Sequence, residues 1–320
     1  MSKRPAFGIN GFPRKFFDSP FATSKVGIFN WLSSLGLDVL ELPYEEMRKM
    51  SKKMRMDFLA AKEESGIILS AEMFSNIDFT KMEETKKRYQ EFLELAIELD
   101  ISHILVPLYK VPKTTNISKV ISFFEWIRES TPQEINIYPE ISGNTRSLGS
   151  LDDIIYICSK VKGVYPCLDF GCLHGREFGS LTSAKKIEQV FTIIEKFLGR
   201  NILNHCYCKV YPVSYNQKGI TERKLFGEQF YGQLNLFNQS LEYLPKASEY
   251  ITAILKKDIH PITVSRTDHM EEVGAMQLRD IYFYKTVQKC QNLSIVMEKS
   301  RKDSFFILKS DIIGVTRGIL

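Results

Sequence analysis

Short apolar runs typical of buried strands alternate with longer amphipathic runs typical of helices along most of this chain of 320 residues. The pattern predicts eight strand-then-helix units in order. Strict alternation of this kind forces parallel strands joined by crossover helices. The predicted strands are residues 6–10, 37–42, 67–70, 102–107, 135–140, 164–169, 202–208 and 261–264, and the predicted helices are residues 24–35, 44–64, 81–99, 117–128, 151–161, 184–198, 241–256 and 270–290.

Eight such units favour a closed (β/α)8 barrel, the TIM barrel, over an open sheet. An open sheet that binds nucleotides carries a glycine-rich phosphate turn after its first strand, whereas the turn here is Gly11-Phe12-Pro13. A barrel typically needs about 250 residues plus additions, which this length accommodates. We therefore predict an α/β fold with a TIM barrel over residues 1–290 and a C-terminal extension over residues 291–320.

Two segments depart from the alternation. Residues 209–230 form a long predicted loop after the seventh strand, where a barrel places residues that handle substrate. The extension carries β-like runs at residues 293–297 and 305–308, separated by a charged segment. This pattern fits a hairpin against the base of the barrel or a segment that binds a partner, and the sequence does not choose between them.

Composition narrows the class of protein. A chain with 44% hydrophobic and 25% charged residues can bury a sizeable core without disulfides, and six cysteines are too sparse for a disulfide framework. Reduced thiols and the absence of a signal-peptide pattern predict a cytoplasmic protein. No apolar run approaches the roughly 20 residues of a membrane span, so no membrane partner is expected. A net charge of +5 is compatible with a nucleic-acid partner without requiring one.

Two predicted strands end in a carboxylate. Strand alternation places Tyr138 and Glu140 on one face of the fifth strand, and Cys167 and Asp169 on one face of the sixth. The carboxyl ends of the strands form the active rim of a TIM barrel. Two neighbouring acids at this rim indicate a metal or proton-transfer site. The alternative is that each acid caps a loop or pairs with a nearby arginine.

The order and spacing of several motifs resemble those of the endonuclease IV (AP endonuclease family 2) and xylose isomerase-like TIM-barrel superfamily, in particular its archaeal-type members. The likeness covers roughly residues 5–285. The motifs are Phe7-Gly8-Ile9-Asn10-Gly11-Phe12-Pro13, Gly36-Leu37-Asp38-Val39-Leu40-Glu41-Leu42, Gly66-Ile67-Ile68-Leu69-Ser70, Pro139-Glu140-Ile141-Ser142-Gly143 and Asp169-Phe170-Gly171-Cys172-Leu173-His174-Gly175-Arg176.

This resemblance implies a cluster of divalent metals, usually zinc, at the C-terminal mouth of the barrel. In active members these metals activate water and hydrolyse DNA at abasic sites. It further implies that Glu140 is the catalytic, metal-bridging carboxylate and that Asp169 and His205 are metal ligands.

The remaining positions of the implied metal site depart from the family. Glu72 and Cys172 stand where the family has histidines, Pro107 removes another histidine, and Ser265 replaces the final glutamate. The ligands kept or substituted suffice for at most one divalent ion such as zinc. These ligands are Glu72, Glu140, Asp169, Cys172 and His205. The residues assigned to substrate binding are His174, Arg176 and Glu222.

We therefore expect a diverged endonuclease IV-like protein with a depleted metal site and weak or no nuclease activity, a pseudoenzyme that binds DNA or another phosphate-bearing ligand. One alternative is a metal-dependent sugar isomerase or epimerase, in which Glu140 and an opposing carboxylate move a proton. The other alternative is a non-catalytic interaction protein that works through its extension.

Overall fold

Eight parallel strands close into a barrel in the computed structural model, which describes residues 4–230, 241–266 and 271–302. Neighbouring strands follow chain order, and the last strand pairs with the first in register Ala6↔Ile262. The predicted TIM barrel is confirmed. Its strands are β1 (Ala6–Asn10), β2 (Val39–Pro43), β3 (Ile68–Glu72), β4 (His103–Pro107), β5 (Asn136–Glu140), β6 (Cys167–Asp169), β7 (Tyr207–Lys209) and β12 (Ile262–Ser265).

Helices cover the outside of this barrel, and polar residues begin several of them. At α7 the Ser150 side chain accepts a hydrogen bond from the Asp153 N–H, and the Asp153 carboxylate accepts one from the Ser150 N–H. This capping box satisfies N–H groups that have no partner inside the helix. The helices are α1 (Arg14–Phe17), α2 (Ile28–Ser34), α3 (Tyr44–Arg48), α4 (Lys52–Ser65), α5 (Met82–Glu98), α6 (Ile117–Ser130), α7 (Leu151–Lys160), α8 (Phe170–Arg176), α9 (Ala184–Leu198), α10 (Ala247–Lys257) and α11 (Glu271–Lys302).

The barrel interior is filled by side chains in layers. One buried layer comes from six different strands: Val39, Leu105, Tyr138, Cys167, Tyr207 and Val264. Because side chains alternate between the two faces of a strand, residues two positions further along also point inward, at the C-terminal mouth. The predicted shared faces of Tyr138 with Glu140 and of Cys167 with Asp169 agree with this arrangement.

A hairpin roofs part of that mouth. It consists of β8 (Val213–Asn216) and β9 (Gly219–Arg223), which lie within the segment predicted as a long loop. The hairpin contacts the loop after β5, because the Thr145 N–H donates to the Lys218 carbonyl and the Ile220 N–H donates to the Gly143 carbonyl. Further along the chain, β10 (Gln229–Phe230) pairs with β11 (Leu241–Glu242).

Several predicted boundaries differ from the structure. The predicted helix over residues 44–64 is divided into α3 and α4, the sixth strand begins at Cys167, and the predicted helix over residues 241–256 begins at Ala247, after β11. The seventh strand begins at Tyr207, because a 3-10 helix, Arg200–His205, occupies most of the range predicted as strand. Near the C-terminus, α11 continues through the predicted boundary at residue 290, so the β-like run at residues 293–297 is helical. The run at residues 305–308 lies outside the described residues. Within the described ranges, no helix has both the length and the apolar character needed to span a bilayer.

Candidate functional site

A lysine ammonium lies on the barrel axis, surrounded by three carboxylates. The Lys209 Nζ is 3.0 Å from Glu41 Oε1, 3.0 Å from Glu72 Oε2 and 2.9 Å from Glu140 Oε2. Glu72 and Glu140 end β3 and β5, Glu41 lies in the middle of β2, and the Lys209 side chain is 0% exposed. An ammonium has three N–H donors; here it donates hydrogen bonds to Glu72 and Glu140 and forms an ion pair with Glu41.

Strand geometry explains why Lys209 points inward. Tyr207 belongs to the interior layer, and Lys209 is two residues further along the same strand. Burial disfavours the charged ammonium, but the carboxylates of Glu140, Glu41 and Glu72 outweigh that effect and raise the Lys209 pKa well above its usual value. The charged lysine is therefore stable inside the protein only because the glutamates surround it.

Arg266 supplies a second positive charge to the cluster. It follows β12, and its guanidinium donates a hydrogen bond to Glu72 Oε2. Burial opposes ionisation of Glu72, but Lys209 and Arg266 together lower its pKa to about 2. Asn10 donates to Glu41 Oε1, while the buried Glu41 Oε2 has no hydrogen-bond partner among the described residues. Three acids thus share two cations.

Glu140 differs from Glu72 in the direction of its pKa shift. Burial raises the pKa of its carboxyl to about 7, with Lys209 opposing the shift and the neighbouring charges of Glu72 and Asp169 adding to it. A carboxyl that titrates near neutral pH can both accept and donate a proton under physiological conditions. The predicted catalytic residue is therefore in a position to exchange a proton with a ligand.

A cavity of about 480 Å³ opens beside Glu140 at the barrel mouth. Four cationic side chains line it, namely Arg146, Lys218, Arg223 and Arg266, against Glu140 as the one acid among the described lining residues. Since Glu140 already binds Lys209, positive charge dominates the wall that a ligand would meet.

Asp169 lies close to this cavity but is held by the protein itself. Its Oδ1 accepts a 2.7 Å hydrogen bond from the Cys172 N–H, which caps α8, and its Oδ2 accepts a 2.6 Å bond from the Tyr211 hydroxyl. Cys172 lines the cavity, with its Sγ 3.5 Å from the Tyr211 Oη. Burial raises the Cys172 thiol pKa well above its usual value. Burial therefore favours the protonated thiol, which is a poor nucleophile.

The structure does not bring His205 to this cluster. His205 is exposed, belongs to the 3-10 helix before β7, and stacks on Tyr165 with ring centroids 4.9 Å apart. Tyr165 precedes β6, so the pair lies at the N-terminal end of the barrel, opposite the mouth. The assignment of His205 as a metal ligand is wrong because the strand ends at Lys209, which takes the inward position at the mouth.

His174 and Glu222, assigned above to substrate binding, have structural contacts. His174 is buried, and its Nδ1 accepts a 3.1 Å hydrogen bond from the Leu181 N–H. Burial lowers the pKa of His174 to about 4. Glu222 is exposed and forms a 2.8 Å ion pair with Lys224. Neither residue is among the described residues that line the cavity.

Arg176 shapes the cavity without lining it. Its buried guanidinium donates to the carbonyl oxygens of Ser142, Asn144 and Ser147, at 3.2, 2.6 and 2.9 Å. These carbonyls belong to the loop that follows β5 and forms one wall of the cavity. Arg176 therefore positions the wall of the cavity, and its predicted role in substrate binding stays a prediction.

The metal implied by the resemblance does not fit these residues. The three cluster carboxylates already converge on an ammonium, and both oxygens of Asp169 are hydrogen-bonded. In the described part of the chain, no group of three or more His, Cys, Asp and Glu residues is arranged to hold an ion. The positive charge at the centre of the mouth is thus supplied by Lys209.

Sequence comparisons give little information. No protein-family model matches the chain. An uncharacterised protein of Methanocaldococcus jannaschii, MJ0133, is 20% identical over 105 residues. This match covers 33% of the chain and 37% of that relative, so it spans well under half the length of the curated protein.

Solved structures share the barrel over nearly the whole chain. A D-tagatose 3-epimerase-like protein is 15% identical with a TM-score of 0.58, covering 89% of this chain and 99% of that one. Endonuclease IV from Thermus thermophilus is 14% identical with a TM-score of 0.56, covering 87% and 98%. The IOLI protein, determined with a bound zinc atom, is 13% identical with a TM-score of 0.55, covering 88% and 96%.

Identities this low show the fold alone. The neighbours include both an endonuclease IV and sugar epimerases, so the chain has the fold that these TIM-barrel proteins share. Fold does not decide between their activities, which depend on the site residues.

Proposed function

We propose that this protein binds a small phosphate-bearing ligand at the barrel mouth and has lost metal-dependent hydrolysis of DNA. The observation that carries the proposal is the Lys209 cluster. Its ammonium lies 2.9–3.0 Å from oxygens of three carboxylates. A catalytic cation at the barrel mouth would need these same oxygens as ligands. An endonuclease IV-like reaction would need that cation to activate water and to bind the scissile phosphate.

The charge of the cavity supports an anionic ligand. Arg146 and Lys218 are exposed at the mouth, and no ion pair in the described ranges involves either of them. Arg266 lies deeper, beside Glu72. Guanidinium groups match the planar, bidentate geometry of phosphate oxygens, and a lysine adds a mobile point charge. A phosphate group can therefore be bound from the rim and from the floor of the cavity.

The size of the cavity supports a small ligand over duplex DNA. Its volume of about 480 Å³ falls within the 300–1,000 Å³ typical of small-molecule pockets. The hairpin of β8 and β9 packs on the loop after β5 and narrows the mouth from one side. A duplex would meet this roof before its backbone reached Glu140.

Calorimetry with three probes tests the proposal: inorganic phosphate, a pentose phosphate and a duplex carrying an abasic site. We expect the pentose phosphate to bind, Lys218→Gln to weaken its binding about tenfold, and the abasic duplex to remain uncut with added Mg²⁺, Mn²⁺ or Zn²⁺. Lys162→Gln is the matched control, because Lys162 is an exposed lysine after α7, at the other end of the barrel. Binding of none of the probes, or incision of the duplex that disappears in Glu140→Gln, would refute the proposal.

Proton transfer on a carbohydrate is the second candidate function, and Glu140 is the observation that favours it. Its carboxyl lines the cavity and has a pKa of about 7, as a general base at neutral pH requires. Incubation of sugar phosphates in D₂O with the protein would reveal exchange at a carbon next to the carbonyl. This candidate requires exchange in the wild type and its loss in Glu140→Gln.

The described cysteines, Cys158, Cys167, Cys172, Cys206 and Cys208, are all free. Free thiols support the cytoplasmic location that we propose for this function, since that compartment keeps thiols reduced. The role of the C-terminal extension, residues 291–320, as a partner-binding segment stays a prediction, and residues 303–320 lie outside the described ranges.

A further inference from the structure

We infer that the Lys209 ammonium is a built-in substitute for a divalent cation, and that removing it exposes a cation site formed by Glu41, Glu72 and Glu140. This inference goes beyond phosphate binding, because it concerns the floor of the barrel mouth and does not depend on any ligand in the cavity. It assigns an ion-binding capacity to residues whose charge the wild-type protein balances with its own side chains.

The positions of the three carboxylate oxygens fit a bound ion. Three oxygens from three different strands converge on one point, at 3.0, 3.0 and 2.9 Å from the Lys209 Nζ. Divalent cations bind carboxylate oxygens at about 2.0–2.6 Å, so each side chain needs to move by less than about 1 Å to reach an ion at that point. The strands of the closed barrel hold the three glutamates in this arrangement.

The charge balance of the cluster also favours a cation once Lys209 is removed. With Lys209 present, two cations face the three glutamates; without it, Arg266 alone remains, bound to Glu72. Buried carboxylates without compensating charge either take up protons or bind a cation. A divalent cation supplies two positive charges in place of the one that is lost, so that with Arg266 it balances the three carboxylates without protonation.

One buried carboxylate oxygen of the cluster has no hydrogen-bond partner among the described residues. Glu41 is 0% exposed, and its Oε2 has no hydrogen-bond partner among the described residues. A carboxylate binding an ion can use both oxygens, whereas the single ammonium contact of Glu41 uses only Oε1. The cluster therefore holds a buried oxygen, Glu41 Oε2, that no hydrogen bond among the described residues uses.

The chemistry of the donors selects the class of ion. All three side chains are carboxylates, which are hard oxygen donors that suit Mg²⁺, Mn²⁺ and Ca²⁺. Imidazole and thiol donors, which favour zinc, are missing from the described contacts of the cluster: His205 is at the other end of the barrel, and the Cys172 Sγ contacts the Tyr211 hydroxyl. We therefore expect the exposed site to take Mn²⁺ or Mg²⁺.

Lys209→Ala tests the inference, because it removes the ammonium and leaves space on the barrel axis for an ion and its waters. Mn²⁺ titration is followed by electron paramagnetic resonance, which counts bound ions, and by thermal melting. We expect the variant to bind one equivalent of Mn²⁺ at least about 100-fold more tightly than the wild type and to melt at a higher temperature with the ion. Adding Glu140→Gln to Lys209→Ala removes one ligand and is expected to weaken the binding at least about tenfold.

Three results would overturn the inference. They are a folded Lys209→Ala that binds no Mn²⁺, a double variant that binds as tightly as the single variant, and a wild type that binds as tightly as Lys209→Ala. If Lys209→Ala does not fold in metal-free buffer, the inference requires Mn²⁺ to restore the native circular dichroism spectrum and EDTA to abolish it again. Failure of Mn²⁺ to do so also overturns the inference. Phosphate binding by the wild type is measured separately, so either proposal can fail alone.

Discussion

The Lys209 Nζ lies 2.9 Å from the Glu140 Oε2, and this contact joins β7 to β5 across the intervening strand β6. Both side chains are almost fully removed from solvent, at 0% and 7% exposed. Breaking this contact leaves a buried charge that is neither hydrated nor paired. The charge balance at the mouth therefore also affects the stability of the barrel.

Replacing Lys209 by Met is expected to lower the free energy of unfolding by about 3–5 kcal/mol, because it leaves buried carboxylates without their cation. Glu140→Gln in the same chain removes one of these acids and should recover part of the loss. Urea denaturation of the two single variants and the double variant measures both effects. Lys162→Met, at an exposed position, is the control. A Lys209→Met variant as stable as the wild type would contradict the importance assigned to the cluster.

His174 makes stability depend on pH below neutrality. Burial lowers its pKa from 6.5 to about 4, so between these values the unfolded chain binds more protons than the folded chain. Stability should therefore fall as the pH falls through this window, by about 3 kcal/mol for this residue. His174→Asn keeps an acceptor for the Leu181 N–H but does not titrate, and should remove that part of the pH dependence. Urea melts at a series of pH values test this, and identical curves for both proteins would contradict it.

Gly219 joins the roof to the cavity wall. Its φ is +109°, and a Cβ built there would lie 1.8 Å from the Gly143 carbonyl oxygen. Gly219→Ala should push the hairpin off the loop after β5 and weaken pentose phosphate binding at least about tenfold. Gly199→Ala is the matched control, because its φ is +89° and no atom lies within 4 Å of the added Cβ. Calorimetry compares the two variants, and equal affinities would show that the roof does not shape the site.

Arg176→Lys should weaken both the fold and ligand binding. A lysine cannot reproduce the fork that binds the carbonyls of Ser142, Asn144 and Ser147, so at least one is left without a donor. The expected cost is about 1–3 kcal/mol of stability, with a raised dissociation constant for the pentose phosphate because the wall moves. Urea melts and calorimetry on the same preparation report the two effects. An unchanged affinity would mean that the wall keeps its shape without Arg176.

The barrel and part of its mouth are predictable from the sequence because they follow from local periodicity. Alternating apolar and amphipathic runs set the number and order of the units, and the period of two within a strand sets the shared faces of Tyr138 with Glu140 and of Cys167 with Asp169. No comparable pattern predicts the 3-10 helix before β7. The sequence therefore predicts a seventh strand that begins too early, and this strand places His205 in the site.

Lys209 and Glu41 escaped prediction for different reasons. The sequence pattern places Lys209 first in the loop after the seventh strand. Because Tyr207 points into the barrel and lies two residues earlier, Lys209 should point inward as well. Glu41 lies within an otherwise apolar strand, where an isolated acid is a signal for a buried partner. That the two residues meet depends on the closure of the barrel, because β2 and β7 are not neighbouring strands and their side chains meet only in its interior. No spacing along the chain encodes such a contact.

Whether Lys209 takes the place of a metal ion in this barrel is decided by elemental analysis of the purified wild-type protein, combined with thermal melting before and after EDTA treatment. We expect less than a stoichiometric amount of any divalent metal and the same melting temperature with and without EDTA. One equivalent of zinc, manganese or magnesium per chain, lost together with stability in EDTA and missing from Glu140→Gln, would contradict it.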